Sequence, residues 1–262
     1  IKPVDDSWKG LALTSDINPY LMEANPYHGT MSAVEEVCRN LASVGARIDS
    51  LADCLCFGNP QRPDIMGQFK ASCEALKDAA TSVDVPYVSG NVSLYNETAE
   101  GAIPPTPVLM GIGLVEDIRK CVTSDMKREG TIWLVGKTKE EMGASLYYRM
   151  LGLECKNVPT TDFDSFMPRM EQLIQAIENN EVIACHDISN GGLALSIIEM
   201  CMGGYGAEIN LDGELRADSE LFSESNGRWI VQVAPGFEND FEKRFDFAKK
   251  IGDVNEKIIF NK

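Results

Sequence analysis

The sequence has few of the devices that hold a small or exported protein together. Its eight cysteines include no CxxC pair, and only His28 and His186 could join them in a metal site. That argues against a zinc module. Most of the cysteines sit in apolar runs and read as small core residues of a reduced, cytosolic protein. No apolar run approaches the ~18 residues of a membrane helix. There is also no basic run: Lys+Arg number 24 against Asp+Glu 40, a net charge of −16. Without a basic face to displace counterions, nucleic acid is excluded as a partner, and so is an anionic membrane surface. The acid is spread along the chain and reads as solvated surface. One consequence follows: any phosphate handled here must be neutralised locally, by divalent metal, by Arg or by helix N-termini. The opening IKPVDDSWKG has no initiator Met and no signal-peptide pattern, and reads as an edge cut from a longer chain.

What is present is a globular composition, 44% hydrophobic and 24% charged over 262 residues. That length suits one large or two ordinary domains with no need of a staple. Patterning predicts a mixed α/β fold in two domains, 1–125 and 126–262. In the first, LALTS is a strand, and a helix over 30–44 carries Met31, Val34, Val37, Cys38, Leu41 and Val44 on one face. Gly29 and Thr30 are placed to cap it and Gly45 to end it. ARIDSLADCLCF reads as a strand running into the loop GNPQRP. Pro63 opens the next helix, with a buried face of Ile65, Met66, Phe69, Cys73, Leu76 and Ala80. VPYVSG is a short strand, NVSLYNETAEGAIPP a loop, and TPVLMGIGLV a strand. The polar stretch CVTSDMKREG marks the boundary. Beyond it, TIWLVG, VIACHDI, GAEINL, GRWIVQV and EKIIF are strands. Helices are expected over 139–151, 165–180, from GGLALSIIEMCM, and over 237–250.

Three glycine-bearing segments follow strands. In DCLCFGNP, Asp53 closes an apolar strand, and it either braces the loop or meets a ligand. In SGNVSLYNET, Gly90 can offer bare backbone to phosphate. Asn91 and Asn96 carry the hard amide oxygens that Mg²⁺ accepts, Glu97 a carboxylate, and Ser93 and Tyr95 hydroxyls. A hairpin loop would use the same residues for turns, and the residues alone leave both readings open. In HDISNGGLALSII, Gly191-Gly192 precede a helix whose N-terminus suits an anion. An Asn-capped helix with glycines for close packing is the plainer account, and His186 reads as structural.

Taken in order, NPYHGTMSAVEEVCRNLASVGA, DCLCFGNPQRPDIM, SGNVSLYNET, IPPTPVLMGIG, HDISNGGLAL and LFSESNGRWIV resemble the small-type phosphoribosylformylglycinamidine synthases, subunit II, over nearly the whole chain. The family is similar to two fused A–B domain pairs of the AIR synthetase-like fold, and this chain resembles the second. The resemblance implies an A-domain sheet that pairs towards a barrel and a mixed B-domain sheet with helices. It implies half of a site that uses ATP, Mg²⁺, formylglycinamide ribonucleotide and glutamine-derived ammonia. On it, Asp53 and Gly90 match ATP contacts, Asn91 a Mg²⁺ ligand and Ser93 a substrate contact. No catalytic residue is implied here, because SDINPY, with Asp16 and Asn18, stands where the first pair carries ESHNHP. Cys56 stands where the family usually has Asn. The implied partners are the missing first half, a glutaminase subunit and a small bridging subunit, with homodimerisation when the first half is absent. A non-catalytic nucleotide-binding scaffold that pairs with the first half is the competing expectation.

Overall fold

The computed structural model describes residues 1–211, 213–245 and 247–261. The first part of the chain contains strands β1 (Gly10–Asp16), β2 (Arg47–Cys56), β3 (Tyr87–Ser93), β4 (Glu97–Thr98), β5 (Gly101–Ala102) and β6 (Thr106–Val115). Four of these form a sheet in the order β1-β6-β2-β3, with β2 and β3 parallel and the other pairs antiparallel; β4 and β5 make a separate small hairpin. Helices α1 (Pro19–Ala24), α2 (Pro26–Ser43) and α3 (Pro63–Val83) accompany the sheet.

Two identical dipeptides start the first two helices. Asn18 and Asn25 accept hydrogen bonds from Leu21 N–H and His28 N–H, and Pro19 and Pro26 follow in the first turn. The second helix therefore begins at Pro26 rather than at Thr30. Gly29 is its fourth residue, not its cap, and a Cβ there would lie 2.6 Å from the Met22 backbone. Glycine lets α1 and α2 meet. The buried face of α3 is also rotated from expectation. Ile65, Ser72, Ala75, Leu76, Ala79 and Val83 are buried, whereas Met66 is exposed and Phe69, Cys73 and Ala80 are half-buried. Small residues are buried because α3 packs tightly on α2. Asn91, Val92 and Ser93 are not loop: they complete β3.

Side chains alternate along strands, so the sheet has two distinct faces. Ala12, Thr14, Asp16, Leu51, Asp53, Leu55, Leu109, Gly111 and Gly113 share one face through their register. That face meets α2: Asn40 Nδ2 donates to Thr14 and Asp16, and a Cβ at Gly111 would lie 2.3 Å from Val37. Among the described residues no helix covers the opposite face. It leaves Leu13, Met110 and Leu114 between 37% and 46% exposed.

The second part holds β7 (Thr131–Val135), β8 (Val182–Asp187), β9 (Gly206–Asn210), β10 (Trp229–Val233), β11 (Ala248–Asn255) and β12 (Ile259–Asn261), in a sheet ordered β12-β9-β11-β7-β10-β8. Its helices are α4 (Leu146–Met150), α5 (Phe163–Glu178), α6 (Gly192–Cys201), α7 (Ala217–Phe222) and α8 (Glu238–Arg244). The helix expected over 139–151 is thus a single turn and a half. The helix expected over 237–250, leaving aside residue 246, which lies outside the described residues, ends at Arg244. Residues 248–255 instead form β11, inside the sheet between β9 and β7. Its lysines and glycine hide its strand character from periodicity. Mixed α/β architecture is nevertheless what the patterning predicts.

The two parts share one core. Helix α2 is buried over most of its length, between the first sheet and α5, and its Val34, Val37 and Cys38 belong to the same apolar cluster as Phe166, Ile174 and Trp229. Arg47 adds ion pairs to Glu171 and Glu178 of α5 at 2.8 and 2.6 Å. Gly252 tests the backbone packing of the second sheet. A Cβ there would sit 2.0 Å from Glu208 O. Gly252→Ala is expected to destabilise by about 1–3 kcal/mol, as overpacking does, read as a lower denaturant midpoint. Gly67→Ala, where nothing lies within 4 Å, should hold or raise the midpoint. Equal midpoints for the two variants would contradict this packing.

Candidate functional site

The parallel pairing of β2 with β3 sets Asp53 opposite Gly90, Cys54 opposite Asn91 and Cys56 opposite Ser93. The Asp53 carboxylate oxygens lie 3.0 and 3.1 Å from the point a Gly90 Cβ would occupy. Glycine at 90 therefore leaves that carboxylate room. Burial raises the Asp53 pKa, and no cation offsets it. Asn91 Nδ2 donates to Cys54 Sγ at 3.4 Å, which turns its amide oxygen away from that contact. Alternation places Asp53 on the helix-covered face, and Asn91 and Ser93 on the open one. The four residues thus occupy neighbouring rungs at the sheet edge but address two faces. Cys56 stays on the open face, its Sγ 3.8 Å from Cys54 Sγ, rather than entering the core.

The turns beyond these strands are latched together. Phe57 N–H donates to Ser93 O, Tyr95 N–H to Gly58 O, and Asn96 N–H to Phe57 O. Asn96 Nδ2 donates to Phe57 O and Ser93 O, and Ser93 Oγ lies 3.2 Å from Asn96 Oδ1. Glu97 accepts from Asn59 N–H at 2.9 Å. Asn96 and Glu97 are consequently spent on the loop, and the turn reading is right for them.

Sequence reasoning missed a buried charge cluster at the domain junction. Arg39, on α2, is 1% exposed and lies 2.5 Å from Glu35, 3.6 Å from Glu36 and 3.5 Å from Asp187 of β8. Asp16, at the end of β1, accepts from Asn40 and from Ile17 N–H. Burial raises the pKa of Asp16 and lifts Glu36 well above the carboxylate range. It moves Glu35 from 4.5 to about 7, although Arg39 and Gly227 N–H pull the other way. For Asp187, burial is outweighed by His186, Arg39 and Ser189, and its pKa falls. Burial opposes the charge of His186, but Asp187 and Glu199 prevail and raise its pKa. The signal was available in the sequence: Glu35, Glu36 and Arg39 fall one turn apart and are the only Asp, Glu, Lys or Arg residues on their helix. Among the described residues, no three His, Cys, Asp or Glu side chains are arranged to hold a metal ion.

The Gly191-Gly192 pair has a packing role. Gly191 has φ +78° and is the N-cap of α6, and a Cβ on Gly192 would lie 2.7 Å from Leu221 O and Ser223 O. Glu224 accepts from Gly191 N–H and Leu146 N–H, both at 2.8 Å. The helix end thus has a carboxylate partner from its own chain and no Asn cap. Asn18 and Asn190 touch across the junction at 3.4 Å.

The cluster implies a pH response. A folded-state pKa raised above the unfolded one contributes stability present below about 4.5 and lost as pH rises through about 7. The melting temperature should fall between pH 5 and pH 8, and Glu35→Gln should flatten that fall while still accepting from Arg39. An unchanged slope in Glu35→Gln would assign the titration elsewhere.

Two family descriptions match the chain: AIR synthase related protein, N-terminal domain, over residues 3–115, and the corresponding C-terminal domain over residues 127–259. The phosphoribosylformylglycinamidine synthase subunit PurL of Thermococcus sibiricus is 42% identical over 260 residues, which is 97% of this chain and 36% of that protein. The chain thus spans about a third of the length of the curated relatives it matches. Among solved structures, Thermotoga maritima PurL complexed with FGAR superposes with a TM-score of 0.83 at 19% identity, covering 97% of this chain and 44% of that one. The same protein complexed with ATP gives 0.64 at 22% identity, over 94% and 35%.

Proposed function

Because the chain belongs to the AIR synthase related family, we propose that it is the second half of an ATP-dependent formylglycinamidine ribonucleotide synthetase of purine biosynthesis. The boundary between its A and B domains is placed at 125/126. The observation that carries the reading is the adjacent-rung placement of Asp53, Gly90, Asn91 and Ser93 at the edge of the open sheet. At Gly90 the edge strand has no side chain, so a bound nucleotide can pass close to the backbone and reach groups on either side. Asp53 and Gly90 are assigned to ATP, and Ser93 to the ribonucleotide substrate. Asn91 offers one neutral oxygen, which fits Mg²⁺ held mainly by phosphate and water. When bound, the metal would neutralise phosphate charge during phosphorylation of the amide oxygen. The chain's own part is positioning: Asp53 orients, Gly90 gives clearance, and the latched loops hold Asn91 and Ser93 in place.

The exposed apolar face of the first sheet supports a partner there, namely the first half of the enzyme. A glutaminase subunit and a small bridging subunit belong to the same proposal, as does a cytosolic setting, which the free cysteines suit. Without the first half, two copies should close face to face. Sedimentation at micromolar concentration is expected to give a dimer, and a species of 28.8 kDa would contradict it.

One observation favours a second reading, in which the chain is a nucleotide-binding scaffold that pairs with the first half. The Ser93 hydroxyl is engaged with Asn96. Reassembly separates the two readings. The isolated chain should show no turnover with ATP, Mg²⁺, substrate and ammonium chloride. With the first half restored, Asn91→Ala should lower turnover by the equivalent of ~2–4 kcal/mol, as loss of a preorganised electrostatic group does, with an unchanged melt. Asn91→Asp should lose less. Near-normal turnover in Asn91→Ala would favour the scaffold.

A further inference from the structure

A second polar site lies in the other domain, on the α5 side of the six-stranded sheet. A cleft of about 100 Å³ opens between the turn after β7, the start of α5 and the turn before β10. Lys137, Lys139, Thr161 and Arg169 line it. Arg169 donates from Nη1 to Gly227 O at 2.9 Å, while its Nε is buried without a hydrogen-bond partner. Among the described residues, neither Arg169 nor Lys137 has a carboxylate within ion-pair reach, and Lys139 has only Glu141, at 3.7 Å. Arg228, fully buried in the adjoining turn, is hydrogen-bonded among the described residues to neutral oxygens, those of Ser225, Ser223 and Thr138.

Two acids, Glu35 and Asp162, line the cleft as well and face Arg169, and each is hydrogen-bonded to other partners. Asp162 caps α5 and accepts from Ser165. Glu35 accepts from Arg39 and from Gly227 N–H. The hydroxyl oxygen of Thr161 accepts from Asn226 Nδ2 at 2.9 Å, which leaves its own proton free to donate. The cleft also lies at the N-terminus of a 16-residue helix, whose dipole adds to the positive field. In a chain of net charge −16, a cleft where three cations meet two lining acids, and where Arg169 and Lys137 have no carboxylate within ion-pair reach among the described residues, is an exception. Of the three, only Arg169 is half-buried, and withdrawing its charge from water is costly unless an opposite charge joins it.

We propose that this cleft binds a small oxyanion of the phosphate class, with Arg169, Lys137 and Lys139 supplying charge and Thr161 a hydroxyl donor. The site is separate from Asp53, Gly90, Asn91 and Ser93, and its occupation does not depend on the synthetase reading. A volume of this size admits one phosphate group and leaves the rest of any larger ligand in solvent.

The test is calorimetric titration of the chain with inorganic phosphate at low ionic strength, with amide shifts followed by NMR. Shifts should concentrate at residues 160–169 and 226–228. Arg169→Gln should weaken binding about tenfold or more, as loss of a charge-assisted hydrogen bond does. The paired change Lys137→Ala with Lys139→Ala should also weaken it several-fold, and because both ammonium groups are exposed it decides the matter if Arg169→Gln fails to fold. Lys250→Ala, at a surface pair with Asp253, should bind as wild type. Ribose 5-phosphate binding more tightly than inorganic phosphate would assign the site to a phosphorylated metabolite, and the reverse order to the free anion. Affinities for the paired lysine variant within about twofold of wild type, or shifts scattered over the surface, would overturn the proposal.

Discussion

The guanidinium of Arg39 is the constraint on which the rest of the structure depends. It is buried, and three carboxylates from two parts of the chain gather on it. A buried charge left without partners would destabilise the fold by several kcal/mol. So α2, which carries Arg39, Glu35 and Glu36, must dock where β8 delivers Asp187. Trp229 adds to the same junction by donating from Nε1 to the Arg39 carbonyl at 3.1 Å, with Phe166 stacked on its ring. The consequence is that one apolar cluster runs through both parts of the chain.

That fixed junction gives the first sheet its asymmetry. With α2 and α3 on one face, the other face is left with Leu13, Met110 and Leu114 turned outward. The residues proposed to meet nucleotide and substrate lie at one edge of that sheet, Asn91 and Ser93 on its open face and Asp53 on the covered one. An incomplete site beside an uncovered apolar surface is what half of a paired assembly looks like, since one partner can cover the surface and complete the site.

Charge is distributed by the same logic. A net charge of −16 is tolerable on a solvated surface but not inside. At the junction the acids gather on Arg39, and burial raises the pKa of Asp16, Glu35 and Glu36 while Arg39 and His186 help to lower that of Asp187. In the cleft beside α5 the imbalance has the opposite sign. The molecule therefore has an acidic exterior with local exceptions, and each exception is held by named backbone and side-chain contacts rather than by overall composition.

Much of this was legible in the sequence where the physics is local. Strand and helix succession, the turn glycines and the strings around Asp53 and Gly90 follow from periodicity and turn chemistry. The Asn-Pro pairs at 18–19 and 25–26 start α1 and α2, but the sequence reading includes neither start: α1 is too short to show a repeat, and His28-Gly29 obscures the beginning of α2. β11 escaped because AKKIGDVN has no apolar alternation, and its place in the sheet comes from β7 and β9 on either side. What the sequence by itself determined was the mixed α/β class, most of the strands and the longer helices, and the groups available for chemistry. Only the tertiary structure decided that Arg39 meets Asp187, that Asp53 and Asn91 address opposite faces, and that Arg169 joins Lys137 and Lys139. Those outcomes depend on strand register and helix docking, which bring together residues tens to well over a hundred positions apart and leave no trace in any local pattern.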